Sequence, residues 1–193
     1  MIWLDILDTP LVGFLDTVFR ENYPETTHPI TRSTGTDRAR DGTGKPPTDF
    51  MPDHAPSSLT SHLYARAHAA LECIEKSANL DICHGFKMQY TNPATGAPAT
   101  PTMGAFLQCL PKGFLGIDYR STESTIICVA EGHGRTRVDN LWIDWGPADV
   151  FTLPGWQRYH HETADGAVLF SVSERPVQQT LGLWREERFD AST

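Results

Sequence analysis

Between residues 86 and 173, short runs of alternating apolar residues are cut off again and again by Gly, Pro, Asn and Asp turns. Phe86-x-Met88-x-Tyr90 and Phe106-x-Gln108-x-Leu110 repeat with period two, which sends one face to a core and the other away from it. A strand ends at Tyr119–Ser121, and the next, residues 125–130, is followed by the turn Glu131-Gly132-His133-Gly134. Asp139-Asn140 separates residues 135–138 from Leu141–Trp145 in the manner of a tight hairpin. Gly146-Pro147-x-Asp149 leads into Val150–Leu153, Pro154-Gly155-Trp156 and a closing Tyr159-His160-His161. Strands this short and this closely spaced bury a face each by forming a sandwich or a small barrel. No internal repeat accompanies them.

The rest of the chain is organised differently. Residues 11–19 place Leu11, Leu15, Val18 and Phe19 on one helical stripe. From Tyr23 to Ser57 the sequence turns polar and rich in Pro, Gly, Thr and Asp, the composition of a mobile connector, most strongly over residues 31–45. Residues 58–77 predict a second helix, with Leu63, Ala67, Ala70, Leu71 and Ile74 inward and hydroxyls at its start to cap free amides. Residues 177–181 have the length of one closing helical turn. The expected organisation is an N-terminal strand/helix arm over residues 1–22, a flexible connector over 23–57, a helix over 58–80, a β-barrel over 81–187 and a tail over 188–193.

The 193 residues suffice for one substantial core. The 24 acidic residues exceed the 16 basic ones and give a net charge of −8, which disfavours a nucleic-acid or anionic-membrane surface. Four cysteines, at 73, 83, 109 and 128, have no C-x-x-C spacing; buried, reduced thiols are expected rather than a disulfide framework. The N-terminus is apolar but acidic, without the basic segment and cleavage site of a secretory signal, and no run reaches the roughly 20 apolar residues of a membrane span. A cytoplasmic protein is expected.

Several separated motifs recur in a known order. Tyr90-Thr-Asn-Pro-Ala-Thr-Gly, Pro101-Thr-Met-Gly-Ala, Val129-Ala-Glu-Gly-His-Gly-Arg, Asp144-Trp-Gly-Pro-x-Asp-Val-Phe, Pro154-x-Trp156 and Ala167-Val-Leu-Phe-Ser171 resemble the gentisate 1,2-dioxygenase family, which includes salicylate and 1-hydroxy-2-naphthoate dioxygenases. The resemblance covers nearly the whole chain and lies with the second half of these two-barrel proteins. It implies a mainly β fold: a single cupin (double-stranded β-helix, jelly-roll) barrel preceded by two helices and a polar connector. It also implies aromatic-compound catabolism and an oxidoreductase chemistry whose Fe(II) sits in the family's other barrel, so that this chain carries no cofactor of its own. The segment Ile2-Trp-Leu-Asp-x-Leu-Asp-x-Pro-Leu-Val resembles the end of the first barrel, so the iron-bearing domain is expected to be missing here.

Cupins that bind metal draw two imidazoles from a His-x-His element and one from a later strand, because neutral nitrogen ligands hold a divalent iron while leaving positions open. Here those places read Tyr119, Ser121 and Tyr159. Strand alternation puts Tyr159 and His161 on one face and His160 on the other, so the adjacent histidines cannot both enter one barrel. Tyr119, Ser121, Tyr159 and His161 are the candidate pocket residues. Two tyrosines and a single histidine make a poor iron site; the other readings are a polar centre satisfied by internal hydrogen bonds and water, or a metal-free pocket with His161 as general base and a tyrosine orienting a substrate oxygen.

Other residues receive structural readings. His133 is expected to be exposed in a turn whose glycines supply positive φ. His84, at a strand entry, and His62 and His68, placed on a helix, converge on nothing. Trp142, Trp145 and Trp156 are expected to close a core or interface. Arg120 and Glu123 are expected to pair on the barrel exterior or rim, and Asp149 to accept backbone hydrogen bonds.

The leading functional expectation is a barrel of this family that is not catalytic alone. It would work as a homo-oligomer or with a separate iron-bearing cupin chain. Its alternatives are a stand-alone metal-free isomerase, cyclase or lyase acting on an aromatic or polyketide-like molecule, and a purely structural or binding module. A barrel mouth would admit a small aromatic ligand.

Overall fold

The computed structural model describes residues 3–30, 62–92 and 95–190, in two compact units, Met1–Ser61 and His62–Thr193. Residues 31–57 of the expected connector, and the hydroxyl-rich helix start at residues 58–61, lie outside the described residues; residues 23–30 are exposed and carry no helix or strand.

In the first unit, helix α1 (Thr9–Phe14) starts with Pro10 in its first turn, where a missing N–H costs nothing. It is shorter than the stripe over residues 11–19 implies. Asp16 adopts φ +53°, and the Thr17 amide and hydroxyl both donate to the Val12 carbonyl, which ends the helix before Val18 and Phe19. Trp3, Leu7, Phe14, Val18 and Phe19 are exposed.

The second unit begins with α2 (Tyr64–Ser77), of which Leu71 is fully buried and Ala67 and Ile74 are partly so. Leu63 and Ala70, expected inward, are exposed, and His62 precedes the helix rather than lying on it. Ten strands follow: β1 (Phe86–Gln89), β2 (Gly104–Leu110), β3 (Tyr119–Ser121), β4 (Thr125–Gly132), β5 (Gly134–Val138), β6 (Leu141–Trp145), β7 (Val150–Leu153), β8 (Tyr159–Glu162), β9 (Ala167–Ser173) and β10 (Glu186–Arg188), with the short helix α3 (Arg175–Thr180) before the last. They form two five-stranded sheets, β1-β2-β9-β4-β7 and β10-β3-β8-β5-β6, and every pairing is antiparallel. This is the mainly β, cupin-like barrel that the resemblance implies, and one of the two architectures that the strand cadence allows. The charged end of the chain does not simply trail away, because Glu186–Arg188 pairs with β3 as an edge strand.

Alternation sorts the side chains into two cores. Between the sheets lie Leu110, Tyr119, Ile127, Val129, Trp145, Leu153, Tyr159 and Leu169. On the outer face of the first sheet, Phe86, Leu107 and Val168 pack on Leu71 of α2. Each such side chain removed from water contributes roughly 1.5–3 kcal/mol. Trp145, at the end of β6, closes the inner core as expected of a large aromatic. The cysteines are free, but Cys83 is the buried one; Cys109 and Cys128 are half-buried and Cys73 is exposed.

The β4–β5 corner shows why its glycines differ. Gly132 has φ +83°, and an added Cβ would fall 2.2 Å from the Gly166 carbonyl oxygen. Gly134 has no positive φ; its hydrogen is required by the Glu162 carbonyl and the Trp145 ring, 2.4 and 2.5 Å from where a Cβ would sit. His133 between them is exposed. At the next corner Asp149 accepts the Gly146 amide at 2.8 Å.

Candidate functional site in the barrel interior

Strands β3 and β8 meet at the Tyr119–Tyr159 pair, which carries the candidate residues into the space between the sheets. Tyr119, Ser121, Tyr159 and His161 are all buried. Their rings form a contiguous edge-on array with a residue that spacing did not single out: His84 to Tyr119 at 4.4 Å, Tyr119 to Tyr159 at 5.6 Å and Tyr159 to His161 at 5.4 Å between centroids.

His161 is fixed by a relay. The Trp145 indole Nε1 donates to Thr136 Oγ1 at 2.8 Å, and Thr136 Oγ1 lies 2.7 Å from His161 Nδ1. Thr136 is completely buried and has a single proton to give. Donating it to His161 Nδ1 satisfies the indole, the hydroxyl and Nδ1 together, whereas the reverse tautomer orphans the hydroxyl hydrogen. The neutral imidazole therefore carries its proton on Nε2. Burial, assisted by the charge of Lys87 and by His160, pushes its pKa down to about 3. A group that resists protonation and whose Nε2 already holds a hydrogen is a donor, and a weak base.

His160 points the other way. Its Nδ1 lies 2.5 Å from Asp118 Oδ1 and its Nε2 3.3 Å from Glu162 Oε1, against the edge of Trp142. Asp118 also binds Arg137 at 2.7 Å.

Ser121 leads to a buried ion pair. Its hydroxyl donates to Glu123 Oε1 at 3.3 Å, Ser173 donates to Glu123 Oε2 at 2.5 Å, and Arg175 grips both carboxylate oxygens through Nε at 2.9 and 3.0 Å. Burial raises the Glu123 carboxyl, but the hydrogen bonds and charge of Arg175 outweigh it and hold the group below its ordinary range. The expected rim pair of Arg120 with Glu123 is thus overturned. Glu123 turns inward to Arg175, and Arg120 pairs with Glu187 of β10 at 2.7 Å while resting on Trp156.

The donor set does not fit a divalent iron. Burial first, and the hydrogen bond to Glu186 second, push the Tyr119 phenol above its ordinary value, and burial pushes Tyr159 well above it. Phenolate ligation would require removing those protons. Tyr119 already donates to Glu186 at 2.8 Å, and Ser121 and the His161 Nδ1 are committed to Glu123 and Thr136. What this interior can do is donate hydrogen bonds and offer positive charge. Lys87 lies on the inward face of β1, its ammonium 4.9 Å from the Phe106 ring centroid. Burial, then the neighbouring Arg175 charge, lowers its pKa to about 8. Its position was available in the Phe86-x-Met88 alternation, which leaves residue 87 for the opposite face. Thr136, Glu123 and Arg175 carried no comparable signal, because their partners are distant in sequence.

No protein-family model matches the chain. It is 45% identical over 188 residues to gentisate 1,2 dioxygenase 1 of Aquipseudomonas alcaligenes, covering 97% of this chain and 54% of that protein. It is 33% identical to 5-aminosalicylate 1,2-dioxygenase of Comamonas sp., over 99% of this chain and 51% of the relative. Among solved structures, a salicylate 1,2-dioxygenase from Pseudaminobacter salicylatoxidans superimposes with TM-score 0.79 at 20% identity, covering 94% of this chain and 53% of that one. The same enzyme's structure as adducts with gentisate gives 0.73 at 19% identity, over 94% and 51% of the two chains. The chain spans about half the length of the curated relatives it matches. In sequence it is related to the gentisate 1,2-dioxygenases, and in fold to salicylate 1,2-dioxygenase, over about half their length, consistent with a resemblance to their C-terminal half.

Proposed function

We propose that this barrel is a non-iron half of a gentisate 1,2-dioxygenase-like protein and cleaves no aromatic ring by itself. The carrying observation is the Trp145–Thr136–His161 relay beside two phenols that retain their protons. An iron site with open positions needs deprotonated or lone-pair donors that converge. This interior supplies proton-bearing groups, of which the Tyr119 phenol and the Ser121 hydroxyl are already engaged with protein partners, as is His161 Nδ1. In this reading the iron belongs to the family's other barrel, and the chain works in the cytoplasm with an iron-bearing cupin partner or as a homo-oligomer. The exposed Trp3, Leu7, Phe14, Val18 and Phe19 support an association role for the N-terminal arm.

The rival isomerase, cyclase or lyase reading needs the Nε2 lone pair of His161 as a base. The relay places a proton there, so the proposal retains the interior as a binding surface and discards it as an acid–base centre. The test is ring cleavage of gentisate by the purified chain supplied with ferrous iron and oxygen. No maleylpyruvate absorbance is expected; its steady formation, abolished by chelator, would overturn the proposal.

A further inference from the structure

We propose that the barrel interior binds a small organic carboxylate, with Lys87 as its counter-ion and His84 and Ser171 as its hydrogen-bonding partners. This rests on the reading that the interior is not an iron site.

The argument is one of charge and of unmet hydrogen bonds. Lys87, Gln108, Phe106 and Ser171 share the inward face of the first sheet: Lys87 pairs with Gln108, and Phe106 pairs with Ser171. Lys87 makes no salt bridge among the described residues; its ammonium faces the Phe106 ring. The carboxylates that act on it are taken. Glu123 is held by Arg175, and Asp81 is bound to Arg188 at 2.7 Å. Counting Lys87, Arg175 and Glu123 leaves the interior with one uncompensated positive charge. Two polar atoms of this group have no partner among the described residues: His84 Nδ1 and Ser171 Oγ, both buried. Gln108 Nε2, beside Lys87, donates to the His84 carbonyl at 2.7 Å and ties His84 to this group. Buried polar atoms are rarely left unpaired, and a cation without a counter-ion in a partly desolvated site is unfavourable.

One positive charge flanked by neutral donors suits a monoanion with two oxygens; a phosphate dianion would need a second cation. The Phe106 and Tyr119 rings favour a ligand that brings its own apolar surface.

The test uses the full chain, treated with chelator, titrated calorimetrically with benzoate, acetate, phosphate and chloride at constant ionic strength. Benzoate is expected to saturate at one per chain, acetate to bind more weakly, and phosphate and chloride not to compete. Lys87→Met should weaken benzoate binding by about tenfold or more, as expected for loss of a charge-assisted bond. Lys87→Arg should retain it. Because Lys87 is uncompensated, Lys87→Met should melt no lower than the parent. The proposal is overturned if neither carboxylate saturates, if chloride or phosphate displaces benzoate at equal concentration, if Lys87→Met binds benzoate as well as the parent, or if it melts well below it. Chelator keeps these outcomes separate from iron binding, so a failed carboxylate site leaves the non-iron reading standing.

Discussion

Replacing His161 with glutamine removes one titrating group from the centre of the barrel while keeping an oxygen that can accept the Thr136 hydroxyl. The unfolded chain binds a proton at this histidine below its ordinary value near 6.5, whereas the buried ring stays neutral down to about 3. Between those values the unfolded state holds one more proton than the folded state, so stability is fully present above pH 6.5 and is lost as pH falls toward 3. The loss is about 1.4 kcal/mol per pH unit, and on the order of 5 kcal/mol across the window. His84 is shifted in the same direction by burial and titrates in both proteins, as does Glu123. The comparison therefore reads His161 together with its coupling to His84. Urea unfolding of the parent and of His161→Gln at intervals from pH 7 to pH 4 reads the effect directly. The variant loses packing at neutral pH, but its stability should fall less steeply by about one proton. Parallel curves would refute the neutral, buried His161 and with it the relay argument.

Glu123→Gln leaves Arg175 charged and without its carboxylate in a largely enclosed setting, and should destabilise the fold by roughly 3–5 kcal/mol in urea unfolding. A loss below about 1 kcal/mol would place the pair in effective contact with solvent. Light scattering should report a dimer or larger for the chain alone, because the exposed apolar residues of the arm would otherwise remain in water. Deleting residues 1–19 should shift it toward monomer, and a monodisperse monomer with the arm intact would contradict the association role.

The barrel was legible because period-two alternation and turn chemistry are local. That Phe86, Met88 and Tyr90 share one face, and Phe106, Gln108 and Leu110 another, follows from spacing; that the first set faces α2 and the second the interior comes from the packing. The opposed directions of His160 and His161 follow from the same rule. What spacing could not give was partner choice. Glu123 is two residues from Ser121 and reads as a rim charge, yet α3 brings Arg175 onto it from 52 residues away. Thr136 became central through a cross-strand pairing with His161, a register that the hairpin turn does not reveal. The arm helix stops short of its apolar stripe because that stripe does not encode the left-handed Asp16 that ends it.

Iron content tests the central claim most directly. The chain, purified without chelator and then incubated anaerobically with excess ferrous iron and desalted, should retain far less than one iron per chain by elemental analysis. The two phenols keep their protons, and His161 Nδ1 accepts from Thr136. Close to one iron per chain, lost in His161→Gln, would contradict the account.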